Sequence, residues 1–254
     1  MYLQYEKSIT DFRSQEFSSF TFIVLTQEVT KVIISLHLPK TAGTSFAATL
    51  EQHFGTRLLK DYTDLPINTP EHERNKAAIQ ASLCNAENDF SDIECIHGYF
   101  LPIKYLLLAN KRDLRFVTWM RNPVERVLSH YFFWKRTYDP RTAPPLRRKV
   151  IEEDWSIERF CLRPEVRDLY WQFLWGFPIE YFDFIGVTEF YEDDLEFFAR
   201  QYLQTPIEPI MLNVGDKGEG GYRIDVSLRK KIESFHARDM DLYQRVLEKR
   251  KHPV

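Results

Sequence analysis

Glycine and cysteine are scarce in this chain: nine glycines and three cysteines in 254 residues. The cysteines, Cys84, Cys95 and Cys161, are odd in number and widely spaced, and no Cys-x-x-Cys occurs. A disulfide framework and a cysteine-built zinc site are therefore not expected, and reduced thiols are. Long hydrophobic runs are lacking too. The longest candidate, Phe20 to Leu25, falls far short of the roughly 20 residues that span a bilayer, so no stable membrane insertion is expected. The first residues show no signal-peptide pattern, because acidic and polar residues fill Glu6 to Glu16, and a cytoplasmic location is the expectation. Positive charge is not in excess. The formal net charge is −3, which gives no global field for nucleic acid; a polyanionic partner would need a local basic patch. No internal repeat or low-complexity tract is visible.

What is present is ordinary for a globular protein: 44% apolar and 28% charged residues. The length suits one large α/β domain or two small ones. At 15%, aromatic residues are numerous enough to line a pocket as well as the core. Residues 1–29 are polar and weakly periodic, and residues 1–30 are read as an N-terminal extension ahead of a domain spanning 31–254. From residue 31 strand and helix patterns alternate. Strands are expected at Val32–Leu36, Ile93–His97, Leu114–Met120 and Tyr181–Val187. Helices are expected at 44–54, 70–83, 123–136 and 192–202, with one or two more over 227–249. This alternation indicates an α/β fold: a single domain with a central parallel sheet flanked by helices. The stretch 139–145 is Pro-rich, and 213–221 holds four of the nine glycines; both read as loops.

The apolar run Val32-Ile33-Ile34 leads into Leu36-His37-Leu38-Pro39-Lys40-Thr41-Ala42-Gly43-Thr44-Ser45-Phe46. A buried strand, a loop with lysine, glycine and hydroxyls, and then a helix make a P-loop-like phosphate cradle, in which helix N-terminal amides face an anion. The loop departs from a Walker A sequence. Lys40 precedes Gly43 instead of following it, and no glycine opens the loop.

A second cluster follows the strand Phe116–Met120. It reads Arg121-Asn122-Pro123-Val124-Glu125-Arg126-Val127-Leu128-Ser129-His130-Tyr131. A Walker B strand would end in an aspartate for magnesium; this one runs into arginine, which favours direct anion binding. Pro123 starts a helix, and Ser129 lies nearly two turns on, back near the same face. Arg121 and Ser129 can therefore converge on one phosphate. Arg126 reads as a structural or ion-paired residue, and His130 as a helix-surface residue.

These two motifs, about 80 residues apart, resemble those of sulfotransferases that use 3′-phosphoadenylyl sulfate (PAPS), and the Pro-Lys-Thr-x-Gly-Thr-Ser form resembles the carbohydrate-type branch, which includes heparan and chondroitin sulfotransferases and bacterial relatives. The likeness extends over roughly 31–249, with Asp183–Glu189 similar to the family's late strand. It implies a sulfuryl transfer from PAPS to an acceptor hydroxyl, with PAP as product and no metal. It further implies that Lys40 steadies the leaving phosphate, that Thr41, Ala42, Gly43, Thr44 and Ser45 hold the 5′-phosphate, and that Arg121 and Ser129 hold the 3′-phosphate.

In-line sulfuryl transfer to a hydroxyl needs a base. His97, at a strand end before Gly98, is the candidate. Relatives carry a His-Gly-His or Gly-His element in this region; here the run is His97-Gly98-Tyr99-Phe100, and Tyr99 replaces the second histidine. Three readings stay open: His97 as base, a carboxylate such as Glu94 or Asp61 as base, or a site that binds PAPS without turnover. His37 either orients the loop or is a strand residue bonded to backbone. Gly215–Arg223 could close over the nucleotide, with Lys217 or Arg223 adding charge, or be a surface loop. Phe46 and Trp119 are candidates for adenine stacking or for core.

Arg136, Arg141, Arg147, Arg148 and Lys149, with Trp134, Tyr138 and Trp155 nearby, suit an anionic sugar or glycolipid head group; a solvated basic loop is the alternative. The sequence names neither the acceptor nor an oligomeric state. Two rival functions remain: a PAPS- or glycan-binding protein without turnover, and a P-loop kinase.

Overall fold

The computed structural model describes residues 31–64, 67, 69–207 and 222–251. Five strands form one sheet: β1 (Lys31–Leu36), β2 (Leu58–Lys60), β3 (Cys95–Gly98), β4 (Asp113–Met120) and β5 (Phe184–Val187). All pair in parallel, in the order β2-β3-β1-β4-β5. The helices are α1 (Gly43–Phe54), α2 (Glu71–Glu87), α3 (Ile103–Leu106), α4 (Pro123–Arg136), α5 (Pro145–Glu152), α6 (Ile157–Cys161), α7 (Leu169–Phe173), α8 (Tyr191–Phe198), α9 (Val226–Phe235) and α10 (Ala237–Lys251). The architecture is the expected α/β domain.

β1 is central, and its near-continuous apolar run follows from burial on both faces. Val32, Ile34 and Leu36 pack with Tyr105 of α3, Leu169 and Phe173 of α7, and Leu242 and Val246 of α10. Ile33 points the other way, into a cluster with Phe46 and Leu50 of α1 and Leu195 and Phe198 of α8. Helix α4 anchors a third cluster: its Val127 packs with Val150 of α5, Phe160 of α6 and Ile232 of α9. Leu36 pairs with Gly98 on one side and Thr118 on the other, so β1, β3 and β4 end close together. The turns that leave β1 and β4 begin side by side at the carboxyl edge, where open parallel sheets bind ligands.

Several boundaries differ from the sequence reading. β2 is an edge strand of three residues, too short to show a period. The strand expected from Tyr181 starts at Phe184, because Ile179–Tyr181 makes a 3-10 turn. The helix expected to reach 202 ends at Phe198 and continues as a π turn, Ala199–Leu203. The C-terminal pattern is two helices divided at His236. The expected extension 1–30 and the glycine-rich stretch 213–221 lie outside the described residues.

Candidate functional site

The loop between β1 and α1 is built on unusual backbone. Lys40 and Ala42 both take left-handed conformations, with φ of 69° and 63°. For residues with a Cβ this costs roughly 1–2 kcal/mol each, and such strain clusters at ligand-holding loops. Alternating handedness of this kind turns successive amides inward. Helix α1 then begins with no side-chain cap and no acidic residue in its first turn. The Thr41 hydroxyl donates to the Leu38 carbonyl at 2.8 Å, so its side chain braces the loop. Ser45 is buried and Thr44 exposed in the first turn of α1. Gly43 is required by a close approach: a Cβ there would stand 2.0 Å from the His37 ring. His37 thus packs under the start of α1, the orienting role among its two readings.

Behind His37 is a stack of rings. His97 is stacked on it at 5.2 Å between centroids with the planes 29° apart, and the Phe46 and Tyr62 rings stand edge-on at 6.2 and 6.0 Å. His97 Nδ1 shares a hydrogen bond of 2.8 Å with Ser35 Oγ, and its Nε2 has no partner among the described residues. His97 is 1% exposed, so the expected base sits one layer inside the surface. Outside it, His37 Nδ1 meets the Tyr62 hydroxyl at 3.2 Å, and the Tyr99 ring lies 4.5 Å away. Burial drives the His37 pKa down to about 3, helped by the Lys40 charge. Burial first, then His37 and Lys60, push His97 well below the usual histidine range. Both imidazoles are neutral near pH 7.

Lys40 crosses from the loop to α4, where its ammonium lies 3.8 Å from the Phe133 ring centroid. Phe133 is one helical turn beyond Ser129, so the lysine and the serine share a helix face. Ser129 is 8% exposed. Helix α4 has a tight start: Asn122 Oδ1 accepts from the amides of Val124 and Glu125.

Arg121 follows β4 directly, and its backbone is clamped from a distance. The Tyr170 hydroxyl accepts from the Arg121 amide at 3.0 Å and donates to its carbonyl at 2.7 Å. The Asn122 amide donates to Glu189 at 2.9 Å. The Arg121 guanidinium lies 3.9 Å from Glu125, and Glu125 is itself paired with Arg229 at 2.8 Å. Tyr222 stacks on Phe132 and donates its amide to Glu125. The chain therefore returns beside Arg121 just before the exposed Arg223. Sequence reasoning missed Tyr170 and Glu189, which lie 49 and 68 residues from Arg121 with no local signal. It also missed Glu125, which helical spacing from Arg121 could have revealed.

The alternative bases are placed clearly. Glu94 precedes β3 and pairs with Arg57, at the amino edge of the sheet, away from the loop. Asp61 is at the carboxyl edge, with its carbonyl against Gly98 so closely that any Cβ there would clash. Burial works to raise the Asp61 pKa, but Lys104 at 2.6 Å, Thr63 at 2.6 Å and Tyr105 at 2.8 Å outweigh it and hold the carboxyl below its usual range. A carboxylate tied this fully is poorly suited to take a proton.

Other expectations change. His130 is not a surface residue; it is buried against Trp134 and Phe160. Phe46 and Trp119 are core, packed on each other at 5.4 Å. Arg126 is fully buried over Tyr170. The basic stretch around 136–149 is largely tied to its own surroundings: Arg141 to Asp139, Arg147 to the Trp134 carbonyl and Thr137, Arg148 to the Pro140 carbonyl. Trp134 and Trp155 there are buried.

The carboxyl edge thus brings together the Lys40 loop, the imidazole stack, Arg121 and Ser129. No family model matches this chain. No curated protein matches it either. Among solved structures, a sulfotransferase from Alicyclobacillus acidocaldarius is similar at 14% identity and a TM-score of 0.42, over 82% of this chain and 91% of that one. A fungal RNA kinase is similar at 10% identity and a TM-score of 0.33, over 84% of this chain and 98% of that one. Likenesses this distant carry no weight for the reaction.

Proposed function

We propose that this chain transfers a sulfuryl group from PAPS to an acceptor hydroxyl, on a carbohydrate or glycolipid. The observation that supports this best is the pairing of two unlike anion-suited corners on adjacent strands. After β1 stands an uncapped helix start with Lys40; after β4 stands a clamped arginine with Ser129 two turns on. A nucleotide with phosphates at its 3′ and 5′ positions needs two such corners. Strand β4 also runs directly into Arg121, where a magnesium-holding carboxylate would stand in a P-loop kinase.

On this reading the acceptor oxygen attacks sulfur while the bond from sulfur to the 5′-phosphate oxygen breaks. Lys40 and the α1 amides take up the charge that grows on that oxygen. The acceptor proton goes to His97 of the imidazole stack as the new bond forms; burial leaves both His37 and His97 weak bases in the resting site, so the transfer draws on the charge that develops at the acceptor oxygen. Calorimetry with PAP against ADP and ATP tests the donor assignment. A preference for PAP that disappears in Arg121→Ala supports it, and equal affinity for all three nucleotides defeats it. Replacing His97 by Ala should abolish turnover and leave PAP binding intact.

The burial of His97, together with Tyr99 at the second histidine's place, favours one further reading: a PAPS-binding protein without turnover. Tight PAP binding with no sulfated product over a broad acceptor panel would select it.

A further inference from the structure

A cleft of about 590 Å³ opens between the start of α2, the turn at Pro164–Val166, α7 and α10. Its walls include Arg74, Arg167, Trp171, Gln172, Trp175 and Arg238. Arg74 is 4% exposed, and its Nε has no hydrogen-bond partner among the described residues. Among the described residues its side chain makes a single hydrogen bond, a long one of 3.4 Å from Nη1 to Gln172. A guanidinium so deeply placed and so thinly partnered lowers its energy by gaining an anion. Burial already pulls the Arg74 pKa below the ordinary arginine range, against the charges of Glu71 and Asp64.

Glu71 and Asp64 act on Arg74 through their charges alone, and among the described residues no carboxylate is hydrogen-bonded to it. Glu165 is held by Arg163, and Asp168 faces Arg167 and the Asp239 amide. Glu71 stands exposed on the first turn of α2. Beside Arg74, Trp171 is 49% exposed, with the Arg238 guanidinium 5.2 Å from its ring centroid. An exposed indole next to a buried cation offers a flat apolar face and a charge together, the combination that suits a ring bearing an anionic group.

The cleft also borders the donor side of the molecule. Tyr170, beside Trp171, clamps Arg121. After β2, residues 61–64 run along the carboxyl edge, where the Asp61 amide donates to the His97 carbonyl and the Asp64 amide to the Tyr99 carbonyl. We infer that the cleft at Arg74 and Trp171 binds an anionic sugar, as the subsite that holds an acidic acceptor next to the transfer site. Its role as an acceptor subsite rests on the sulfuryl-transfer reading; its binding chemistry does not. In the basic stretch at 136–149, by contrast, Arg141, Arg147 and Arg148 are hydrogen-bonded within their own surroundings.

The test is calorimetry of the full chain with a hyaluronan tetrasaccharide, which carries glucuronate, against the neutral chitotetraose. PAP is titrated separately into the same samples. The acidic sugar is expected to bind at least tenfold more tightly than the neutral one. Trp171→Ala, at an exposed position, and Arg74→Gln should each weaken it at least tenfold with PAP affinity unchanged. Equal binding of both sugars overturns the anion assignment. Binding that survives Trp171→Ala overturns the cleft. No binding of the acidic sugar while PAP binds overturns the subsite and leaves the donor reading standing. Failure of PAP alone defeats the donor reading, and the two sugars still decide the cleft.

Discussion

Helices α1 and α4 both start at the carboxyl edge of adjacent strands, and they start in opposite ways. α1 has no side-chain cap, and its backbone leads in through two left-handed residues. α4 has Asn122 accepting from two amides, Pro123 at its first position and Glu125 in its first turn. The first is built to offer backbone donors to an incoming anion. The second has spent them internally, and its local carboxylate opposes an anion at the helix end. An anion beside α4 must therefore be held by side chains. On the proposed reading Arg121 and Ser129 supply them, and one bisphosphate ligand is gripped by amides at one end and by a guanidinium at the other.

The largest effect should come from Lys40. Lys40→Ala should lower kcat by about 10²–10³-fold, the usual loss for one charge-stabilising donor, with the PAPS dissociation constant nearly unchanged because the amides remain. An equal loss in PAPS affinity would break the contrast, since it would make the loop a side-chain site in the ground state as well. Arg121→Ala comes next. Losing a charged hydrogen-bonded contact of about 1.5–3 kcal/mol should weaken PAP by roughly 10–150-fold and ADP, which lacks the 3′-phosphate, hardly at all. If both nucleotides weaken alike, the arginine is not reading the 3′ end.

A smaller effect separates capping from binding. Asn122→Ala should cost about 1 kcal/mol of folding stability in urea titrations and leave PAP affinity within twofold. The last effect is on pH dependence. His37 has a folded pKa of about 3, below the ordinary value of 6.5, so the unfolded chain binds the extra proton between those values. Stability linked to His37 is complete above pH 6.5 and is lost as the pH falls toward 3. His37→Gln should flatten the urea midpoint between pH 4 and 6.5 relative to the parent. An unchanged slope would mean that His37 is not held neutral under Gly43.

Much of this edge was legible in the chain. The strands β1, β3 and β4, helix α4 to the residue, and the two anion motifs all follow from apolar runs, the proline at a helix start and loop composition. These are local signals. What escaped was set by packing between distant segments. The depth of His97 depends on His37, Tyr62 and Phe46 closing over it, and the burial of His130 depends on α6. The clamp by Tyr170 leaves no trace near Arg121. The arginines of 136–149 looked available because sequence cannot show that nearby carbonyls already hold two of them. The cleft at Arg74 draws on four separate segments, so no single stretch announces it.

Tyr170 and Trp171 share a peptide bond, yet one hydroxyl fixes the arginine of the nucleotide corner while the next side chain lines the cleft. A cleft ligand that shifts α7 would shift the backbone of Arg121 with it, and by linkage the nucleotide would return the same factor. On the proposed reading, donor and acceptor affinities would then be coupled through a single turn of helix.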